Sequence, residues 1–89
     1  MSRFTVVWSR SAKSRLAELW LDNPAIRQEI TDAADQIDRA LAHVPATIGI
    51  PVSTRSRLVV HPPLSVLYWI SESDKQVRVI HVSFWDDQF

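Results

Sequence analysis

The amino-acid sequence predicts an α+β fold of order β-α-α-β-β-β, with a helical hairpin packed on one face of a small, mainly antiparallel four-stranded sheet. Two observations carry that prediction. The β-branched and aromatic opening Phe4-Thr5-Val6-Val7-Trp8 leads into two consecutive stretches of helical apolar spacing. Three short apolar runs, Arg57 to His61, Leu64 to Ile70 and Gln76 to Trp85, then follow with turn residues between them. A helical hairpin covers one face of such a sheet and leaves the other bare.

After the first strand, Ser9 or Ser11 is placed to cap a helix, since a serine oxygen accepts a free backbone N–H of the first turn. Ala12, Leu16, Leu19 and Trp20 then form one apolar face ending near Asp22, and both Trp8 and Trp20 read as core. Asn23-Pro24 restarts the chain as a second helix, because asparagine is a strong N-cap and proline is tolerated at the first helical position. Its apolar stripe runs Ile26, Ile30, Ala33/Ala34, Ile37, Leu41 and Val44, with Asp32, Asp35, Asp38 and Arg39 on the remaining surface. Val44-Pro45 ends it, and Ala46 to Pro51 reads as a loop holding Gly49. Pro62-Pro63 and Glu72 to Lys75 separate the later strands. The first strand is free to sit at a sheet edge or beside a later strand.

The chain of 89 residues reads as one domain, residues 1–89. So small a domain has little apolar surface to spare, yet the run Leu64 to Ile70 puts Leu64, Val66, Tyr68 and Ile70 on one side and Leu67 and Trp69 on the other. Both sides want to be dry, which points to a partner protein. Ten Lys and Arg balance ten Asp and Glu, so no bulk positive field announces a nucleic-acid partner. With no cysteine there is no disulfide framework, thiolate nucleophile or Cys-based metal site, and no metal or cofactor is expected. The opening Met1-Ser2-Arg3-Phe4 lacks the apolar core of a signal peptide, and no run approaches a membrane span of about 20 apolar residues. The expected location is the cytoplasm, with no membrane partner.

Particular residues in this order resemble the RelE/ParE superfamily of toxins from bacterial type II toxin–antitoxin modules. They are Phe4 to Ser9 with Ala12 and Leu16, Pro45, Arg57-Leu58, Leu64 to Ile70 ending in Tyr68-Trp69-Ile70, and Val77 to Val82. The resemblance implies a toxin held in an oligomer with a cognate antitoxin, whose extended and helical segments would dry the surplus apolar surface. It further implies either a target such as DNA gyrase, in the ParE-like branch, or ribosome-dependent cleavage of mRNA, in the RelE-like branch. Plasmid stabilisation and growth inhibition are the corresponding roles.

The RNA-cleaving branch demands a general base, a general acid and cations for the phosphorane. Where the family pattern commonly has an arginine and a basic or histidine residue, this chain has Ser65 and Phe84, and the ParE-like branch is favoured. The catalytic candidates that remain are Arg55, Arg57, Arg78 and His81. In strict alternation His81 shares a strand face with Val77, Val79, Ser83 and Trp85, where it reads either as an acid or base or as a sheet histidine bonded to a neighbour. Arg55 and Arg57 would point the same way as one cationic patch, or serve as edge or ion-paired arginines. Tyr68 belongs with the core. Leu67, Trp69 and Trp85 are the expected partner-binding residues. Asp86-Asp87 is a weak metal or acid/base pair, since adjacent strand residues face opposite ways.

Overall fold

The computed structural model describes residues 3–85, so Asp86-Asp87 lies outside the described residues. The elements are β1 (Thr5–Trp8), α1 (Arg10–Asp22), a 3-10 turn (Pro24–Ile26), α2 (Arg27–His43), β2 (Ile50–Pro51), β3 (Ser56–His61), β4 (Leu64–Ser71) and β5 (Gln76–Phe84). The α+β class and the helical hairpin are as expected. Ile50–Pro51, read as loop, adds a two-residue strand antiparallel to β3 and makes the sheet five-stranded, in the order β1-β5-β4-β3-β2. The question of the first strand is resolved at an edge: β1 runs parallel to β5, while the other pairs are antiparallel.

Ser9 is the cap of α1, its Oγ accepting from the Ala12 N–H at 3.1 Å. Asn23 plays a different part from the one expected. Its side-chain amide donates back to the Leu19 carbonyl at 2.8 Å and closes α1, and the chain spends Pro24–Ile26 in a 3-10 turn before α2 begins at Arg27. The Arg27 guanidinium also serves the end of α1, donating to the Trp20 carbonyl at 2.9 Å and the Leu21 carbonyl at 3.3 Å. A cation there complements the negative end of the helix dipole.

The spacing of Ile30, Ala33, Ile37 and Leu41 does what the sequence implied: all four are buried against the sheet. They share one core with Leu64, Val66 and Tyr68 of β4 and Val77, Val79 and Val82 of β5, each fully enclosed, and α1, with Ala12 and Leu19 in the same core, is the helix packed on β5. Burying a side chain such as Ile37 contributes roughly 1.5–3 kcal/mol, so this one layer holds the domain together. Trp20 is a correction. It is 38% exposed, because the neighbouring Leu19 takes the core position on α1, and Arg27 lies 4.0 Å above its ring.

The sheet carries one irregularity with consequences for function. Leu67 pairs with His81 but Tyr68 pairs with Val79, so Ile80 is an extra residue, a β-bulge, on β5. Val77 and Val79 face the helices on one side of it, and Val82 and Phe84 do so on the other. No helix among the described residues is long and apolar enough to cross a membrane.

Candidate docking face on the open side of the sheet

The face turned away from the helices follows from the pairing register. It carries Val7 from β1, Leu58 and Val60 from β3, Ser65, Leu67 and Trp69 from β4, and Arg78, His81 and Ser83 from β5. Trp85, just past β5, continues the same side and is held by its N–H donating to the Pro63 carbonyl at 2.9 Å. Val60 is 37% and Trp85 41% exposed, large values for apolar side chains on a sheet. The three expected partner-binding residues, Leu67, Trp69 and Trp85, therefore lie on one face.

The bulge decides where His81 goes. Strict alternation would group it with Val77 and Val79, but the extra residue re-phases the strand, and those valines are buried while His81 is exposed opposite Leu67. Its imidazole makes no hydrogen bond among the described residues, so it is not the neighbour-bonded sheet histidine. Ser65 is buried on this face, its Oγ 2.9 Å from the Ser83 Oγ. Phe84 points to the core, and its open-face neighbours Ser83 and Trp85 are uncharged.

Arg57 is turned from the open face by its register. It pairs with Tyr68, on the helix side, and its guanidinium donates to the Ile48 carbonyl at 3.2 and 3.3 Å and to the Gly49 carbonyl at 3.2 Å. The fully buried Tyr68 hydroxyl sits in the same cluster, 2.7 Å from the Pro45 carbonyl and 2.9 Å from that of Ile48. Burial raises the Tyr68 pKa above its ordinary value, opposed by its hydrogen bond with, and the charge of, Arg57. Arg57 and Tyr68 together tie the loop after α2 to the sheet, a role that a residue-type search for phosphate clamps does not find. Gly49 belongs to this tie: at φ +70°, a Cβ there would lie 2.5 Å from the Leu58 carbonyl oxygen.

Arg55 stands in the exposed turn between β2 and β3, on a cleft of about 390 Å³ that it shares with Arg57, Ser71 and the side of Trp69. The two arginines thus border one cleft, but the Arg57 guanidinium is spent on the loop carbonyls. Arg78 is a cross-strand neighbour of Trp69, its guanidinium carbon 5.7 Å from the ring centroid. Arg78 and His81 share the open face in successive cross-strand rows, Arg78–Trp69–Ser56 and His81–Leu67–Leu58. No group of three or more His, Cys, Asp or Glu capable of holding a metal occurs among the described residues.

A second concavity, of about 620 Å³, lies along the helical hairpin. Its apolar floor comes from Trp8, Leu16, Trp20, Leu21, Ile30 and Ala34, and Asp35 and Asp38 stand on its rim. Asp38 Oδ1 accepts from the Trp8 indole N–H at 3.0 Å. Trp20, out of place as a core residue, is explained as a wall of this groove.

No family model matches the sequence, and no curated protein matches it significantly. Solved structures do resemble the fold. A chain of the toxin–antitoxin complex RelBE2 from Mycobacterium tuberculosis superposes with a TM-score of 0.79 at 17% identity, over 98% of this chain and 97% of that one. A chain of the chromosomal ParDE toxin–antitoxin system from P. aeruginosa gives 0.78 at 14% identity, over 97% of this chain and 100% of its own. TrmO from Pseudomonas aeruginosa gives 0.63 at 25% identity, over 93% of this chain but 36% of that one, so a similar fold also occurs as part of a larger protein. From the order of its elements, the hairpin on one sheet face and the end-to-end likeness to the first two structures, this chain shares the fold of those two chains.

Proposed function

We propose that this chain is the toxin of a bacterial type II toxin–antitoxin module, nearer the ParE-like than the RelE-like branch. It acts in the cytoplasm by binding an essential target such as DNA gyrase and is neutralised by a cognate antitoxin. The observation that carries this reading is the uncovered apolar sheet face, with Leu67, Trp69 and Trp85 on it, in a chain whose fold is that of proteins from two toxin–antitoxin systems. An antitoxin offering an extended and a helical segment would find two apolar seats, that face and the hairpin groove. The ParE-like preference rests on the open face itself: Ser65 is paired with Ser83, Phe84 faces the core, and Arg57 is committed to loop carbonyls.

Inducible expression, with and without the reading frame adjoining the gene, tests the proposal. Growth arrest with supercoiling lost in treated cells, both relieved by the adjoining product, is expected. Normal growth would remove the toxin reading.

Arg78 and His81 on one open face favour a second reading, a ribosome-dependent mRNA endoribonuclease. Primer extension on translated messages separates the two: cleavage that disappears in His81→Ala and Arg78→Ala selects the nuclease. A third reading, a non-toxic interaction module of the same fold, would bind the antitoxin and neither gyrase nor ribosomes.

A further inference from the structure

We propose that the open face seats an extended protein segment through a carboxylate held by Arg78, with apolar side chains of the same segment lying over Leu67 and Leu58. The inference rests on the antitoxin reading above and adds the chemistry of the contact.

Arg78 is the starting point. It lies between Val7 of β1 and Trp69 of β4, its guanidinium stands over the Trp69 ring, and its Nε is buried with no hydrogen-bond partner among the described residues. Guanidinium stays charged and has donors but no acceptor, so the half-buried Arg78, without a counter-charge on this face, leaves its outer donors to an oxygen from elsewhere. The face does not supply a counter-charge: the side chains around Arg78 in the register are Thr5, Ser56, Ser71 and Gln76, all neutral. Asp74, in the turn at that end of the sheet, accepts from the Ser71 hydroxyl, and the ion pair present among the described residues is Arg15 with Glu18, on α1.

With Nε enclosed, the outer end of the half-buried guanidinium presents its two Nη groups, a fork of donors that binds a carboxylate with parallel hydrogen bonds. Phosphate fits the same fork, but the rest of the face decides against a nucleic acid. Leu58, Val60, Leu67 and Trp85 are apolar, and His81 is the one other titratable side chain there among the described residues. A phosphate chain brings a negative charge with every nucleotide and needs several cations to hold it. An extended peptide turns every second side chain to the same side. An Asp or Glu with apolar residues two positions away matches the rows Arg78–Trp69–Ser56 and His81–Leu67–Leu58.

The test uses the full chain, the purified product of the adjoining reading frame and a single-stranded RNA oligonucleotide. Dissociation constants are measured by calorimetry for the wild type, Arg78→Gln and Arg78→Lys. Arg78→Gln is expected to weaken the protein complex about 10- to 100-fold, as loss of a hydrogen bond to a charged group does. Arg78→Lys, which keeps the charge without the fork, should recover part of that loss. Arg78→Glu paired with an Asp→Arg or Glu→Arg change in the partner segment should restore binding. Equal affinity for wild type and Arg78→Gln would overturn this inference and leave the toxin reading standing. Loss of RNA binding with the protein complex unchanged would reassign Arg78 to phosphate and overturn it too. An adjoining product that does not bind at all would remove both readings together.

Discussion

Replacing Arg57 by methionine separates a scaffold role from a catalytic one. The side chain makes three contacts with two carbonyls, at 3.2 to 3.3 Å, all toward the long end of the hydrogen-bond range. The Ile48 carbonyl keeps the Tyr68 hydroxyl at 2.9 Å, so the change strips the Gly49 carbonyl and weakens the other site. A hydrogen bond to a charged group is worth about 1.5–3 kcal/mol; allowing for the long distances and the solvent available to Gly49, the three together come to about 2 kcal/mol. In a domain this small that lowers Tm by roughly 8–16 °C. Arg57→Lys, whose ammonium does not span both carbonyls in one plane, should recover less than half. Urea unfolding followed by tryptophan fluorescence, with an unchanged m-value, measures the loss. A variant within about 0.5 kcal/mol of wild type that nevertheless fails in the growth assay would refute the reasoning and return Arg57 to the functional site.

Gly49→Ala places a Cβ 2.5 Å from the Leu58 carbonyl oxygen at φ +70°, and is expected to cost more than about 3 kcal/mol, combining clash with left-handed strain; a melting temperature within a few degrees of wild type would contradict this. Tyr68→Phe leaves the Pro45 carbonyl without its 2.7 Å partner and should cost about 1–2 kcal/mol at neutral pH, read by urea unfolding. Because burial holds the Tyr68 proton to a higher pH in the folded than in the unfolded chain, its contribution is complete below the ordinary phenol value and declines as pH rises through the folded one. Wild type should therefore lose stability in alkali more steeply than Tyr68→Phe, and parallel alkaline melts would contradict that. Trp85→Ser, at a residue 41% exposed, should change the free chain's stability by less than about 1 kcal/mol while weakening the antitoxin complex by about 2 kcal/mol or more; calorimetry showing unaltered binding would take Trp85 off the docking face.

The parts of the molecule legible in the sequence are those governed by local periodicity. Ile30, Ala33, Ile37 and Leu41 repeat at the helical period and are buried together, Ser9 caps α1, and the apolar excess of β4 marks a sheet with apolar side chains on both faces. Alternation also placed Leu67 and Trp69 opposite Tyr68, because the bulge adds its residue to β5 and leaves the phase of β4 intact.

What tertiary structure decided depends on partners distant in sequence. Ile50–Pro51 becomes a strand because Leu58 and Arg57 of β3 lie alongside it, and β1 reaches the edge by pairing in parallel with β5, neither of which a local window contains. Trp20 leaves the core because Leu19 fills the available place. The extra residue Ile80 moves His81 to the opposite side from the one alternation assigns, and the carbonyls of Ile48 and Gly49 draw Arg57 away from any open site. The sequence by itself determined the two helices, the four longer strands and the presence of apolar side chains on both sides of β4, since side-chain period is a local property. Which face His81, Arg57 and Arg78 occupy was settled by tertiary structure, since strand register and a bulge exist only once two strands have paired.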